Sequence, residues 1–364
     1  MSPSGKSVVR ANAGRSATEQ GTRSLRDVAE LAGVSEATAS RALRDTRNVG
    51  FELRERVLLA AKKLNFTPNP HARALASATD ASVGIVVHDI SDPYFSEIVR
   101  GALEGAAQSG RMLLICNTYR DPQRELAYIR HFRAQRVEAL LLAGSGDGEA
   151  GTRIEVEIRE FERGGGRAVL MGRYQTARNA IMADNIGGAR QMADHLVELG
   201  HRRIAVIAGP GGLTGSRLSG FLGRLEALGV ELPAERVRVG EFTRDGGKTA
   251  AVELLDSARD LTAIFALSDV MAIGVLAALR ERGIKVPGDI SVGGFDDIPM
   301  AQDLQPPLTT VSVPMVDMGR RAFAVALSRR GDEAPRFKRL PTALVVREST
   351  APPRAARRRS SSAG

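Results

Sequence analysis

Glu36, Ala37, Ser40 and Arg41 share one face of a short helical segment, opposite a stripe formed by Ala39 and Leu43. These residue types suit contact with base edges. An arginine can donate two hydrogen bonds to a guanine, and a glutamate can accept from a cytosine amine. What must hold them is a compact helical unit within residues 24–76. Ser24 can cap a first helix, with Asp27 favoured near its positive end. Leu25, Val28, Ala29 and Leu31 give that helix an apolar face. Gly33 breaks the run, and Ser35 can cap a second helix, Glu36 to Leu43. Two short helices across a glycine-containing turn make a helix-turn-helix, whose second helix enters the major groove. A third helix, about Phe51 to Leu64, brings Val57, Leu58, Ala61 and Leu64 to close a small core. Gly50 at its start is a weaker cap than serine.

Composition narrows the class of partner. Lys and Arg number 51 against 42 Asp and Glu, a net charge of +9 that fits a polyanion without proving one. The positive charge gathers toward the ends. A single cysteine, Cys116, allows no internal disulfide framework and suits a reducing, cytoplasmic setting. No apolar run reaches membrane-spanning length, so no membrane partner is expected. Residues 1–23 are polar and basic, lack the apolar run of a secretory signal, and read as a disordered arm. Residues 349–364, with Arg354, Arg357, Arg358 and Arg359, read as a disordered basic tail. With 364 residues the chain can hold two or three domains.

After a connector at 65–82, the pattern turns to strands alternating with helices. Strands are expected at 83–87, 112–116, 139–143, 168–171, 204–209, 237–242, 263–267 and 290–295. Helices are expected between them, among them Tyr94–Ser109 with Phe95, Ile98, Val99, Ala102, Leu103 and Ala106 on one stripe. A long βα series means parallel sheets covered on both faces, and two sheets fit the length better than one. Cys116 falls in a strand and is expected in the core.

The words DVAELAGVS, ATASRAL, RERV and PNPHARALA make residues 24–76 similar to the DNA-binding head of the lac repressor (LacI/GalR) family. Ala39 stands where that family usually has valine, and Gly50 where it usually has serine. Residues 83–348 resemble the same family's effector domain through DPYFSEIVRGALEGA, DNIGGARQMADHLVELGHRRIAVIAG, SRLSGF, SDVMAIGVLAALRERGIKVPGDISVGGFDD and PPLTTVSVP. The resemblance implies a helix-turn-helix domain at 24–68 and a hinge helix with linker at 69–82. It implies an α/β effector and dimerisation domain at 83–348. That domain has two doubly wound, periplasmic-binding-protein-like subdomains, with chain crossings near His201, Phe295 and Arg330 and a ligand cleft between them. Open α/β sheets bind ligands at the carboxyl ends of their strands, which agrees.

The expected DNA-contacting set is Leu25, Ser35, Glu36, Ala37, Thr38, Ser40, Arg41, Asn48, Ala72, Arg73 and Leu75. For Arg41 the plainer alternative is a phosphate contact. Leu75 matches the family residue that wedges into the central base step, which kinks a duplex; the alternative is an ordinary apolar contact. His71 can also reach phosphate. The resemblance carries an effector role to Arg217 and Asp296, with a surface arginine and a turn aspartate as alternatives. Tyr94, Phe95 and Phe242 match aromatic positions that stack on the ligand, or else are core. Ser268 and Asp269 resemble a ligand-binding pair, or else cap a helix, and Asp184 lies near the cleft. The expected partners are double-stranded operator DNA, a small effector of the sugar class, and a second copy of the chain, with a tetramer as the alternative assembly. No cofactor, metal or enzymatic activity is expected. GPGGLTG after a strand is one residue too long for a dinucleotide fingerprint. His88 with Asp89 and Asp92 reads as a strand-end loop rather than a metal site. A periplasmic-type binding protein would share the cleft but not the headpiece.

Overall fold

The computed structural model describes residues 24–43, 49–66, 82–144, 148–171, 179–210, 215–328 and 337–354. Two units separate, residues 1–80 and 81–364. Among its described residues the first has three helices: α1 (Leu25–Ala32), α2 (Glu36–Leu43) and α3 (Phe51–Lys63). Ser24 and Asp27 form a reciprocal cap. The Ser24 hydroxyl accepts from the Asp27 amide at 3.3 Å, and the Asp27 carboxylate accepts from the Ser24 amide at 2.7 Å. Gly33 ends α1 in the left-handed conformation, and Ser35 accepts from the Thr38 amide at 3.2 Å to start α2. The core is built from small residues: Val28, Ala29, Ala32, Ala39, Ala42, Val57, Ala60 and Ala61. The expected core differs at two places. Leu31 and Leu58 face solvent, and Ala32 and Ala60 take the buried positions. Small side chains let the three axes approach closely, which pushes the larger neighbours to the flank. Arg56 locks α3 to the end of α1 by donating to the Ala32 carbonyl at 2.5 Å.

The second unit carries two six-stranded sheets. Its strands are β1 (Val83–Val87), β2 (Leu113–Asn117), β3 (Ala139–Ala143), β4 (Arg167–Leu170), β5 (Ala180–Ala183) and β6 (Ile204–Ala208). They continue as β7 (Val237–Val239), β8 (Ala263–Ala266), β9 (Ser291–Asp296), β10 (Thr309–Ser312), β11 (Phe337–Leu340) and β12 (Ala343–Val345). The helices are α4 (Pro93–Ser109), α5 (Pro122–Ala134), α6 (Gly148–Arg163), α7 (Asn185–Glu198), α8 (Gly215–Ala227), α9 (Arg244–Ser257), α10 (Asp269–Glu281) and α11 (Met315–Ala326). One sheet runs β11-β5-β4-β3-β1-β2 and is parallel throughout. The other runs β12-β10-β9-β8-β6-β7, with only β12 antiparallel. Strand order reverses at β1 in the first sheet and at β6 in the second, so a crevice opens beside each at the strands' carboxyl ends.

The chain passes between the two lobes at positions other than those expected. It crosses at Asp184, between β5 and α7; at Val313–Pro314, between β10 and α11; and at 341–342, between β11 and β12. His201 and Phe295 lie inside the second lobe, and Arg330 falls outside the described residues. The expected series has no element at β5, β10, α11, β11 or β12, and those are the elements that decide the crossings. Other differences are local. Leu103 is exposed rather than on the buried stripe of α4, and β2 is an edge strand that leaves Cys116 half-buried. Strand β7 stops at Val239, so Phe242 lies in the loop before α9.

Residues 349–351, expected in the tail, are instead held against the second lobe. Ser349 is fully buried, donating to the Val292 carbonyl at 2.6 Å and accepting from the Thr309 amide at 2.8 Å. Thr350 meets His195 Nε2 at 2.9 Å, and the Ala351 carbonyl lies 3.0 Å from His201 Nε2. Burial holds the His201 imidazole down at about 4, so it stays neutral and can bridge these groups. Residues 355–364 are outside the described set.

Helix α4 carries the cleft loop at its start, and its position depends on two glycines. A Cβ on Gly101 would stand 1.9 Å from the Val316 carbonyl oxygen, and one on Gly319 1.9 Å from that of Ile98. Each helix therefore runs its backbone against the other. Gly101→Ala should cost about 1–3 kcal/mol by overpacking, read as a lower urea midpoint at unchanged slope. A change of less than about 0.5 kcal/mol would mean that the helices separate freely.

Candidate functional site

In the headpiece, Glu36, Ala37 and Arg41 are exposed on α2, while Ser40 and Thr38 are half-buried at its flanks. Ala39 and Ala42 fill the opposite, buried side. Glu36, Ala37, Ser40 and Arg41 thus form one accessible strip of side chains. Arg41 Nε donates to the Ala37 carbonyl at 3.1 Å, which lays the side chain back along its own helix. Ser35 is exposed at the helix start and Leu25 is half-buried. Asn48, His71, Ala72, Arg73 and Leu75, with the hinge at 69–81, lie outside the described residues.

The second site is centred on Arg217, in the first turn of α8, just after the β6 switch point. Its Nη2 donates to Asp296 Oδ1 at 2.7 Å, its Nη1 to the Leu267 carbonyl at 2.6 Å, and its Nε to Asn185 Oδ1 at 3.2 Å. The guanidinium also lies 4.0 Å from the centre of the Phe295 ring. Arg217 and Asp296 side chains are only 9% and 4% exposed, so the pair is held in low dielectric with part of the guanidinium's donor set engaged. Burial pushes the Asp296 carboxyl up to about 6, and Arg217 keeps it from rising further. Ser268 hydrogen-bonds Asp296 instead of capping α10. Asp296 has φ 119°, a left-handed backbone that costs about 1–3 kcal/mol and is characteristic of functional sites.

The first lobe faces this pair with aromatic side chains. Asp92 caps α4 by accepting from the Tyr94 amide at 3.0 Å, which fixes the direction of Tyr94 and Phe95. Tyr94 stands edge-on to Phe95, with centroids 5.0 Å apart, and its ring centre is 5.8 Å from the Arg217 guanidinium carbon. Burial pushes the Tyr94 phenol up to about 12, so it keeps its proton and its donor. Phe242 reaches the site from its loop. Its ring lies so close to Gly209 that a Cβ there would fall 2.0 Å from Cζ. Only glycine after β6 leaves room for that ring. His88 packs on Phe95 at 5.5 Å, and burial lowers its imidazole to about 4.

Arg217, Asp296, Ser268, Tyr94, Phe95 and Phe242 therefore belong to one neighbourhood. Asp269 does not join it as a ligand group. It is fully buried, with Oδ1 accepting from Thr310 at 2.6 Å and Oδ2 from the Ile298 amide at 3.0 Å. Both oxygens are used in tying α10 to β10 and to the loop after β9. Asp184 caps α7 through the Gly187 amide at 3.2 Å and sits at the first crossing, half-buried. Two participants were missed. Asn185 is adjacent to Asp184 in the quoted ADN word. Arg120, after β2, lies 4.5 Å over the Phe242 ring of the other lobe, and nothing local in the sequence marks that contact. Among the described residues no set of His, Cys, Asp and Glu is placed to hold a metal ion. Likewise, no described helix is long and apolar enough to cross a membrane.

Comparison with known proteins covers both units of the chain. Residues 24–69 match the family described as bacterial regulatory proteins, lacI family, and residues 193–350 match the periplasmic binding protein-like domain. The chain is 35% identical over 330 residues to the HTH-type transcriptional regulator DegA of Bacillus subtilis, covering 90% of this chain and 97% of that one. It is 34% identical over 333 residues to the HTH-type transcriptional repressor CytR of Escherichia coli, covering 90% and 96%. Among solved structures, the lac repressor dimer bound to operator and the anti-inducer ONPF aligns with a TM-score of 0.80. Its identity is 28%, over 91% of this chain and 100% of that one. The complex of the transcriptional regulator CelR with cellobiose aligns with a TM-score of 0.67 at 32% identity, over 90% and 99%. The exposed strip on a capped helix-turn-helix, the two-lobed α/β domain and these relatives together place the chain in the lacI family of DNA-binding transcriptional regulators.

Proposed function

We propose that the protein is a cytoplasmic repressor that binds a near-palindromic operator as a homodimer and is controlled by a sugar or sugar derivative held between the two lobes. The observation that carries this reading is the buried Arg217–Asp296 pair at the strand ends, faced by Tyr94 from the opposite lobe. Such a pair offers a fork of donors and a carboxylate acceptor beside an aromatic wall, a combination that suits a polyhydroxylated ring. Relatives named for ribose and solved with cellobiose or ribose give the same direction. On the DNA side, α2 presents Glu36, Ala37, Ser40 and Arg41 to the major groove. Leu25, Ser35, Thr38, Asn48, Ala72 and Arg73 complete the contacts, and Leu75 wedges a central base step.

The control is a linkage. Ligand contacts both lobes, so it favours one lobe arrangement over another. Its leverage on DNA is limited to its differential affinity for those arrangements. The crossings at Asp184, Val313–Pro314 and 341–342 are where the backbone would absorb the change.

Arg41→Ala should weaken operator binding by about 1–3 kcal/mol if it makes a bidentate guanine contact. Random duplex should lose less, as read by titration at fixed salt. Equal losses on both duplexes would reduce Arg41 to a phosphate contact. On the ligand side, Arg217→Ala and Asp296→Ala should each abolish binding of the metabolite that raises the parent's melting temperature, and with it any ligand-driven change in operator affinity. Calorimetry showing retained affinity in both variants would remove the pair from the site.

A further inference from the structure

The cleft holds a second arginine whose pairing is incomplete. Arg120 follows β2 in a turn where Tyr119 and Arg120 both have positive φ, 52° and 63°. Non-glycine residues adopt that conformation at a cost, so the turn is held by its surroundings. Its effect is to carry the Arg120 guanidinium over to the other lobe. The guanidinium carbon lies 4.5 Å from the centre of the Phe242 ring and 5.9 Å from that of Phe95. Only 22% of the side chain is exposed.

Acids lie around it, but none takes its Nη2 in a hydrogen bond. Asp92 Oδ2 is 3.6 Å from Nη2, beyond hydrogen-bond reach, and the other Asp92 oxygen is committed to the Tyr94 amide. Asp89 accepts from the Ser91 amide and hydroxyl. Glu241 is exposed, and Asp296 is taken by Arg217. Arg120 Nη2 is buried with no hydrogen-bond partner among the described residues. Asn117 Oδ1, at the carboxyl end of β2, is also buried and unpartnered. A guanidinium stays protonated in a protein, so burying it without an acceptor leaves a standing demand for one. A neutral hydroxyl would satisfy one donor of the fork, whose charge Asp92 meets only at 3.6 Å. A carboxylate or phosphate satisfies both, and can take two donors of the fork at once.

We propose that Arg120 binds an anionic group on the effector, so that the ligand is a sugar-sized molecule carrying one carboxylate or phosphate rather than a neutral sugar. The inference rests on the reading of the Arg217 cleft as the effector site. The ring lies among Tyr94, Phe95 and Phe242, its hydroxyls meet Arg217 and Asp296, and its acid group takes the unpartnered Nη2 of Arg120.

The test uses the full chain and matched probes at constant ionic strength. These are D-glucose, D-glucuronate and D-glucose 6-phosphate, the corresponding galactose set, D-ribose with D-ribose 5-phosphate, and inorganic phosphate alone. Melting temperature and calorimetry are measured for the parent, Arg120→Gln, Arg120→Lys and Arg217→Ala. An acid-bearing probe should bind the parent at least tenfold more tightly than its neutral counterpart. Arg120→Gln should erase that advantage, and Arg120→Lys should keep part of it. The uronate and phosphate arms tell which acid is preferred. Neutral sugars that bind the parent and Arg120→Gln equally, and lose binding in Arg217→Ala, would overturn the inference and leave the effector cleft standing. A sugar response unchanged in Arg217→Ala would overturn the cleft reading itself. Inorganic phosphate shifting the parent and Arg120→Gln equally, with no acid-bearing sugar favoured, would also overturn the anion site.

Discussion

A buried guanidinium needs five donors placed and one charge matched, and Arg217 organises the second lobe around that requirement. Its partners come from three separate stretches of chain: Asn185 at the start of α7, the Leu267 carbonyl after β8, and Asp296 at the end of β9. Phe295 covers one face of the guanidinium. Removing an ionic partner from such a pair leaves a charge uncompensated in low dielectric, at about 3–5 kcal/mol. The neighbouring carboxylate, raised to about 6, shows how strongly burial acts there. The left-handed backbone of Asp296 adds strain to the same spot, so the strand ends are held in place by several interactions at once.

The rest of the domain places the opposite lobe against this point. Switch points at β1 and β6 open crevices where strand order reverses. The Asp92 cap aims Tyr94 and Phe95 from one side, and Gly209 admits the Phe242 ring from the other. Three crossings connect the lobes, and α11 leaves the second sheet to pack on α4 of the first. The closeness of α4 and α11 at Gly101 and Gly319 makes the first lobe one stiff body. On the proposed linkage, a change of lobe arrangement would fall on the short crossings.

Much of this is legible in the sequence wherever function and local pattern coincide. The headpiece can be read from caps and spacing because its helices are short and each boundary has its own residue: Ser24, Gly33, Ser35. Arg217 and Asp296 are marked in the sequence only by the family resemblance, and the structure brings their side chains together. Asp269 misleads, since an acid at a helix start looks the same whether it meets a ligand or ties α10 to Thr310 and the Ile298 amide. The crossings cannot be read at all. They depend on β5, β10, β11 and β12, which are short, and on α11, whose apolar spacing does not say which lobe it packs on. Arg120 is hidden for another reason. Its partner Phe242 is 122 positions away in the other lobe, and its own turn needs two left-handed residues that composition does not signal. Ser349 falls at the start of a basic stretch, and its burial comes from hydrogen bonds to Val292 and Thr309 that no local rule predicts.

The central claim is that occupancy of the Arg217 cleft and binding of operator are two readings of one conformational equilibrium. The direct measurement is a linkage cycle on the full chain. Operator affinity is taken by fluorescence anisotropy with and without saturating cleft ligand, and ligand affinity by calorimetry with and without operator. The account predicts that ligand changes operator affinity by at least about fivefold, and that operator changes ligand affinity by the same factor. Operator affinity that stays constant while the ligand saturates the cleft would contradict it.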